Sequence, residues 1–129
     1  FDNHGVTYRI EFTSHLKKKR VWSVKFFRLD GDVWSVDLFG DQHYVGNVVT
    51  TIRRAVTTFM LENYVNVMMF QGDLRHKGRI RVYDKFAVDI SETYSYNVLV
   101  RRKSKMKVYV LHRYEDEDVL AKELDGITL

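Results

Sequence analysis

Between residues 6 and 12 the chain alternates strictly, with Tyr8, Ile10 and Phe12 on one side and Thr7, Arg9 and Glu11 on the other. A period of two predicts a half-buried β-strand. A polar, basic loop follows from Thr13 to Arg20, and then come two aromatic-rich runs, 21–28 and 33–39. These read as a hairpin around Leu29-Asp30-Gly31-Asp32, and its register follows from the apolar positions. A two-residue Asp30-Gly31 loop would set Lys25 beside Val36. A three-residue loop, Leu29 to Gly31, pairs Phe26 with Trp34, Val24 with Val36 and Trp22 with Leu38. It also places Gly31 at the left-handed position such a loop needs. The expected register is therefore the three-residue one, with Trp34 in the core.

Beyond Gly46-Asn47 the period changes. Val48, Ile52, Ala55 and Phe59, flanked by Val49, Val56 and Met60, recur at helical spacing, with Thr50, Arg53, Arg54, Thr57 and Thr58 opposite. Asn47 is the expected N-cap and Asn63 the expected close. Residues 64–70 (YVNVMMF) are short and almost continuously apolar, as a central strand buried on both faces would be. Residues 77–90 carry two signals. Arg79, Ile80, Arg81 and Val82 alternate, whereas Val82, Tyr83, Phe86, Ala87 and Ile90 fit a helix. The length of the run and the Asp84-Lys85 interruption favour the helix. Residues 94–102 and 106–113 form a second hairpin with a basic turn, Tyr96, Val98 and Val100 being matched to Met106, Val108 and Val110. A short amphipathic helix follows through Val119, Leu120 and Leu124. The order is β-β-β-α-β-α-β-β with a short C-terminal helix. That predicts an α+β fold with a mainly antiparallel sheet and helices packed on one face. No linker or composition break divides residues 1–129, so a single domain is expected, with 115–129 as an acidic C-terminal segment.

Composition narrows the chemistry. The 129 residues contain no Cys, which removes disulfides, thiolate metal sites and cysteine nucleophiles, and no Pro. The apolar runs are too short to span a membrane, and no secretory signal pattern is visible near Phe1. The formal charge of +4 conceals an asymmetry. Residues 115–129 hold six acids and one base, leaving 20 bases and 11 acids in residues 1–114. The bases cluster at Lys17, Lys18, Lys19 and Arg20, at Arg53-Arg54, between Arg75 and Arg81, and between Arg101 and Lys107. A basic body with an acidic end either meets a polyanion that the tail competes with, or is simply solubilised at its loop tips, the acids then serving a helix start.

Candidate catalytic residues are few. His4, His15, His43, His76 and His112 form no HExxH or HxH arrangement. Two similar corners, Phe39-Gly40-Asp41-Gln42-His43 and Phe70-Gln71-Gly72-Asp73-Leu74-Arg75-His76, would bring Asp41, His43, Asp73 and His76 together if their strands were parallel neighbours. Carboxylate and imidazole would suit a divalent ion or acid–base work. Turn chemistry explains Gly-Asp equally well and is the expected reading. Phosphate-cradle and nucleophile-elbow motifs are missing, and Asp37, Asp73 and Lys85 match no nuclease spacing. No catalytic residue, metal ligand or cofactor is therefore assigned.

Nucleic-acid binding has more material. Lys17, Lys18, Lys19, Arg20, Arg101, Arg102, Lys103 and Lys105 lie at loop or hairpin tips, and Lys77, Arg79 and Arg81 open the second helix. Clustered cations suffice to neutralise phosphates without reading sequence. Tyr8, Tyr83, Tyr94, Tyr96 and Tyr109 would add stacking faces if exposed, although Tyr8 and Tyr83 sit in apolar patterns and are expected in the core.

Over residues 6–90 the chain also resembles small uncharacterised proteins of tailed bacteriophages. The likeness lies in the aromatic three-strand meander, the Gly46-Asn47 helix start with Val56 and Phe59, and the strand ending at Phe70. A basic aromatic helix with Arg79, Arg81, Tyr83 and Asp84 completes it. The resemblance implies a fold, a viral origin and action in the host cytoplasm, and it transfers no activity. The expectation is a small basic non-enzymatic accessory protein that binds DNA or RNA. The alternative is an interaction module that binds or inhibits a host protein.

Overall fold

The computed structural model describes residues 1–3, 5–15, 20–35 and 46–125. The first strands are β1 (Asp2–Asn3), β2 (Val6–Ser14), β3 (Val21–Asp30) and β4 (Val33–Ser35). Helix α1 (Gly46–Glu62), β5 (Val67–Asp73) and α2 (Lys77–Tyr94) follow, and then β6 (Asn97–Lys103), β7 (Met106–His112) and α3 (Glu117–Leu124). The seven strands form one sheet in the order β1-β2-β3-β5-β7-β6, with β4 paired to the far half of β3. All neighbours are antiparallel except β3 and β5. The parallel pair is possible because α1 carries the chain back across the sheet between them.

Strand alternation divides the interior into two clusters. Trp22, Val24, Phe26, Met68, Phe70, Tyr109 and Leu111 face α1 and α2, meeting Val48, Ile52, Val56 and Met60 from the first and Tyr83, Phe86 and Ile90 from the second. Val21, Val67, Met69 and Val110 point the other way and pack on Leu120 of α3. β5 therefore has apolar side chains on both faces, as its continuous hydrophobic run predicts. The two long helices share one face as expected, while α3 occupies the opposite one. Residues 77–94 are helical throughout, so the period of 3.6 prevails over the local alternation at Arg79–Val82. Helix α1 already includes Asn47, which thus lies inside its first turn rather than capping it. Asn63 closes the helix as expected, its backbone and side-chain N–H groups both donating to the Phe59 carbonyl.

The first hairpin corrects the expected register. Asp30 pairs with Val33, Leu29 with Trp34 and Arg28 with Ser35, around a two-residue loop of Gly31 and Asp32. Only Gly31 has positive φ there, at +62°, the pattern of a type II′ turn. The slip is an odd number of residues, so Trp34 moves to the face away from the core. It is 38% exposed and lies beside Arg9, whose guanidinium carbon is 5.8 Å from its ring centroid. Val36 and Leu38, the other expected partners, lie outside the described residues. The second hairpin corrects a smaller detail. Val98 faces Leu111 and Val100 faces Tyr109, so Val108 and Val110 point to the α3 side while Tyr96 and Val98 point to the α1–α2 side.

Candidate nucleic-acid interface

Two cationic segments distant in sequence meet at one end of the molecule. Asp73, the last residue of β5, pairs with Met106, the first of β7, and the Leu74 amide donates to the Lys105 carbonyl at 2.8 Å. The β5–α2 corner, bearing Arg75 and Lys77, is thereby tied to the β6–β7 turn, bearing Arg102, Lys103 and Lys105. Arg101 lies just before that turn, and Arg81 follows one turn into α2. All of these side chains are exposed.

The nearby carboxylates are already engaged. Asp73 accepts from the Arg75 backbone amide at 2.9 Å and from its guanidinium Nε at 3.0 Å. This hydrogen bonding holds the Asp73 carboxyl well below the usual carboxylate range. Asp84 accepts from Lys107 Nζ at 2.7 Å and from the Tyr109 hydroxyl at 2.6 Å. Burial pushes Asp84 upward, but those two donors outweigh it and its pKa is lowered. Burial, reinforced by Asp84, raises the Tyr109 phenol, which therefore stays protonated as the donor. Lys77, Arg81, Arg101, Arg102, Lys103 and Lys105 make no ion pair among the described residues. The amino end of α2 adds to this field, since its first turn contains no acid and its N-cap, His76, makes no side-chain capping bond.

Other expected contributors lie elsewhere. Arg79 is buried at 5% exposure beneath α2, because helical geometry turns it inward on the Tyr83 side, and it is unavailable to a ligand. Burial pushes the Tyr83 hydroxyl up to about 12, with Arg79 opposing. Arg20 is exposed but stands at the opposite end of the sheet. Its carbonyl accepts from the Asn66 and Val67 amides where β5 begins, a full strand away from Asp73. It cannot share one patch with residues 101–105, and Lys17, Lys18 and Lys19 lie outside the described residues. Of the expected stacking faces, Tyr8, Tyr83, Tyr96 and Tyr109 are buried, and Tyr94, at the last residue of α2, is half-buried against the same core.

The corner pair at Asp41 and His43 also lies outside the described residues, and Asp73 is occupied by Arg75. Among the described residues no group of three potential ligands could hold a metal ion, and no helix is long and apolar enough to cross a membrane. The acidic segment is a folded helix over residues 117–124. Asp116 caps it by accepting from the Asp118 amide at 2.8 Å, and Glu117 and Asp118 stand at its positive end. Sequence clustering identified both halves of the cationic end but not their union, which depends on the pairing of β5 with β7. No family model, curated protein or solved structure matches the chain.

Proposed function

We propose that this chain is a small, basic, non-enzymatic accessory factor of a tailed phage, acting in the host cytoplasm, that binds nucleic acid electrostatically. The observation that carries the binding is the joining of the β5–α2 corner to the β6–β7 turn through Leu74 and Lys105. It gathers Lys77, Arg81, Arg101, Arg102, Lys103 and Lys105 while Arg75 and Lys107 neutralise the adjacent carboxylates. Such a surface meets phosphates and reads no bases, because the tyrosines that would stack are in the core. The phage setting rests on the resemblance in element order.

Electrophoretic shifts with duplex DNA, single-stranded DNA and RNA, each at two salt concentrations, test the reading. If roughly half of the six cations meet phosphates, log K falls against log salt with a slope near −3 on duplex DNA. Replacing Lys77, Arg102 and Lys105 by Ser lowers affinity for all sequences alike and flattens the slope. No shift at low salt defeats the proposal. A second reading, a module that binds a host protein, draws on β6, an edge of the sheet among the described residues and able to accept a further strand. It takes first place in that event.

A further inference from the structure

On the face away from α1 and α2, the short helix α3 leaves part of the sheet uncovered. Beside it lies a cavity of about 700 Å³, within the range of about 300–1,000 Å³ that small-molecule sites occupy. Its floor is aliphatic, formed by Met69, Leu99, Met106, Val108 and Val110. Its wall is one stripe of α3, including Leu120, Ala121 and Leu124, whose spacing places them together. Among the described residues no aromatic ring lines it, so a flexible aliphatic body fits better than a stacked base or ring.

The polar groups are distributed by end. Arg101 and Lys103 are alternate residues of β6, so both emerge on the cavity side next to the β6–β7 turn. Gln71 lies in the same row as Val108 and Arg101 and supplies an amide donor. Glu117 and Asp118 line the other end. Burial lowers the His112 pKa while the Glu117 carboxylate opposes it, placing Glu117 by the last residue of β7. The acids sit on the positive end of α3, which favours their ionised form. Arg101 and Lys103 have no ion pair among the described residues, although Arg101 Nη1 donates to the Val100 carbonyl at 3.1 Å. Leu99 to Lys103 spans four strand steps, about 13 Å.

We propose that this cavity binds a medium-chain aliphatic monocarboxylate, with the alkyl chain along Leu99, Val108, Val110 and Leu120 and the carboxylate held by Arg101 and Lys103. Charge complementarity selects the class. The uncompensated cations attract one anionic head, the acids at the far end repel a second, and the chain between them displaces water from apolar surface. The site shares Arg101 and Lys103 with the proposed phosphate surface, so the two ligands compete there, but the cavity itself does not rest on that reading.

Calorimetric titration of the full chain with decanoate tests the proposal. Saturable one-to-one binding is expected. Exchanging Arg101 and Lys103 for Gln, both exposed and so harmless to folding, weakens it by about tenfold or more, the loss expected for hydrogen bonds to a charged group. Ala121→Trp, which fills the cavity and leaves every charge in place, abolishes binding. Arg54→Gln, exposed on α1 across the sheet, leaves it unchanged. Decanedioate and decylamine bind more weakly than decanoate. The proposal is overturned if decanoate does not saturate, if Ala121→Trp binds it with unaltered affinity, or if decylamine binds as tightly.

Discussion

Phe70 lies among four other rings. Tyr109 stacks on it at a centroid distance of 4.8 Å, and Phe86, Tyr83 and Phe26 approach edge-on at 5.4, 5.5 and 6.4 Å. It is 1% exposed, so Phe70→Ala leaves a cavity that its neighbours cannot close and should cost about 3–5 kcal/mol. Trp34→Ala removes a larger side chain but only a half-exposed one in contact with Arg9, and should cost about 1 kcal/mol or less. Denaturant titrations of the two variants decide this, and equal losses would contradict the hairpin register. Histidine sets the pH response. Burial lowers His15, whose Nε2 lies 2.7 Å from Ser23 Oγ, and lowers His112 as well. As pH falls through 6.5 the unfolded chain takes up protons that the folded chain resists, so stability falls with pH there. Thermal midpoints should drop between pH 7 and pH 5. The His15→Gln, His112→Gln double variant should show a shallower decline, and an identical decline would remove these rings from the account.

At the scale of elements, the two tight hairpins differ instructively. Gly31 and Ser104 each occupy the first loop position, with φ of +62° and +58°, and in neither loop does the second residue take positive φ. Glycine adopts that conformation freely, whereas serine is strained in it. Ser104→Gly should therefore stabilise the fold by about 0.5–1 kcal/mol, read as a raised denaturation midpoint. A lowered midpoint would mean that the Ser104 side chain contributes more than its backbone conformation costs. The same hairpins show how far the sequence could be read. Periodicity located the principal strands and all three helices, because each buries a face whose spacing is written in Val, Ile, Phe and Tyr. It misplaced the β3–β4 register because matching Trp34 to Phe26 assumed that every aromatic residue belongs to the core. The far end of β3 instead runs to Asp30, where a wide aromatic ring packs against an arginine. Arg79 was misjudged for the complementary reason. Its charge predicts solvent, but α2 turns that position inward, in one row with Tyr83, Phe86 and Ile90. The cationic end was legible only as two separate clusters, since nothing local to residues 75–81 or 101–105 announces that β5 pairs with β7.

For the whole molecule, the shortest junction between the long strands of the sheet is the one that joins its two halves. β2 and β3 pair over seven positions, as do β5 and β7, whereas β3 and β5 pair over three, from Val21 to Ser23. Packing of Phe26 on Phe70 and Phe86 reinforces this seam on the helix side, and Val21 with Val67, Met69 and Leu120 reinforces only its first residues on the other. Amide hydrogen exchange should then reveal a partial opening, in which β2 and β3 lose protection while β5, β6, β7 and α2 retain it. A single rate limit shared by all strands would show that the sheet opens as one unit. Such an opening would uncover an edge reading Val67, Met68, Met69 and Phe70, with no charge or proline among them. An unpaired edge of that composition can recruit an identical segment from another molecule. The three-residue seam thus guards the chain against self-association, and conditions that loosen the amino-terminal meander should start fibril-like association before the rest of the fold is lost.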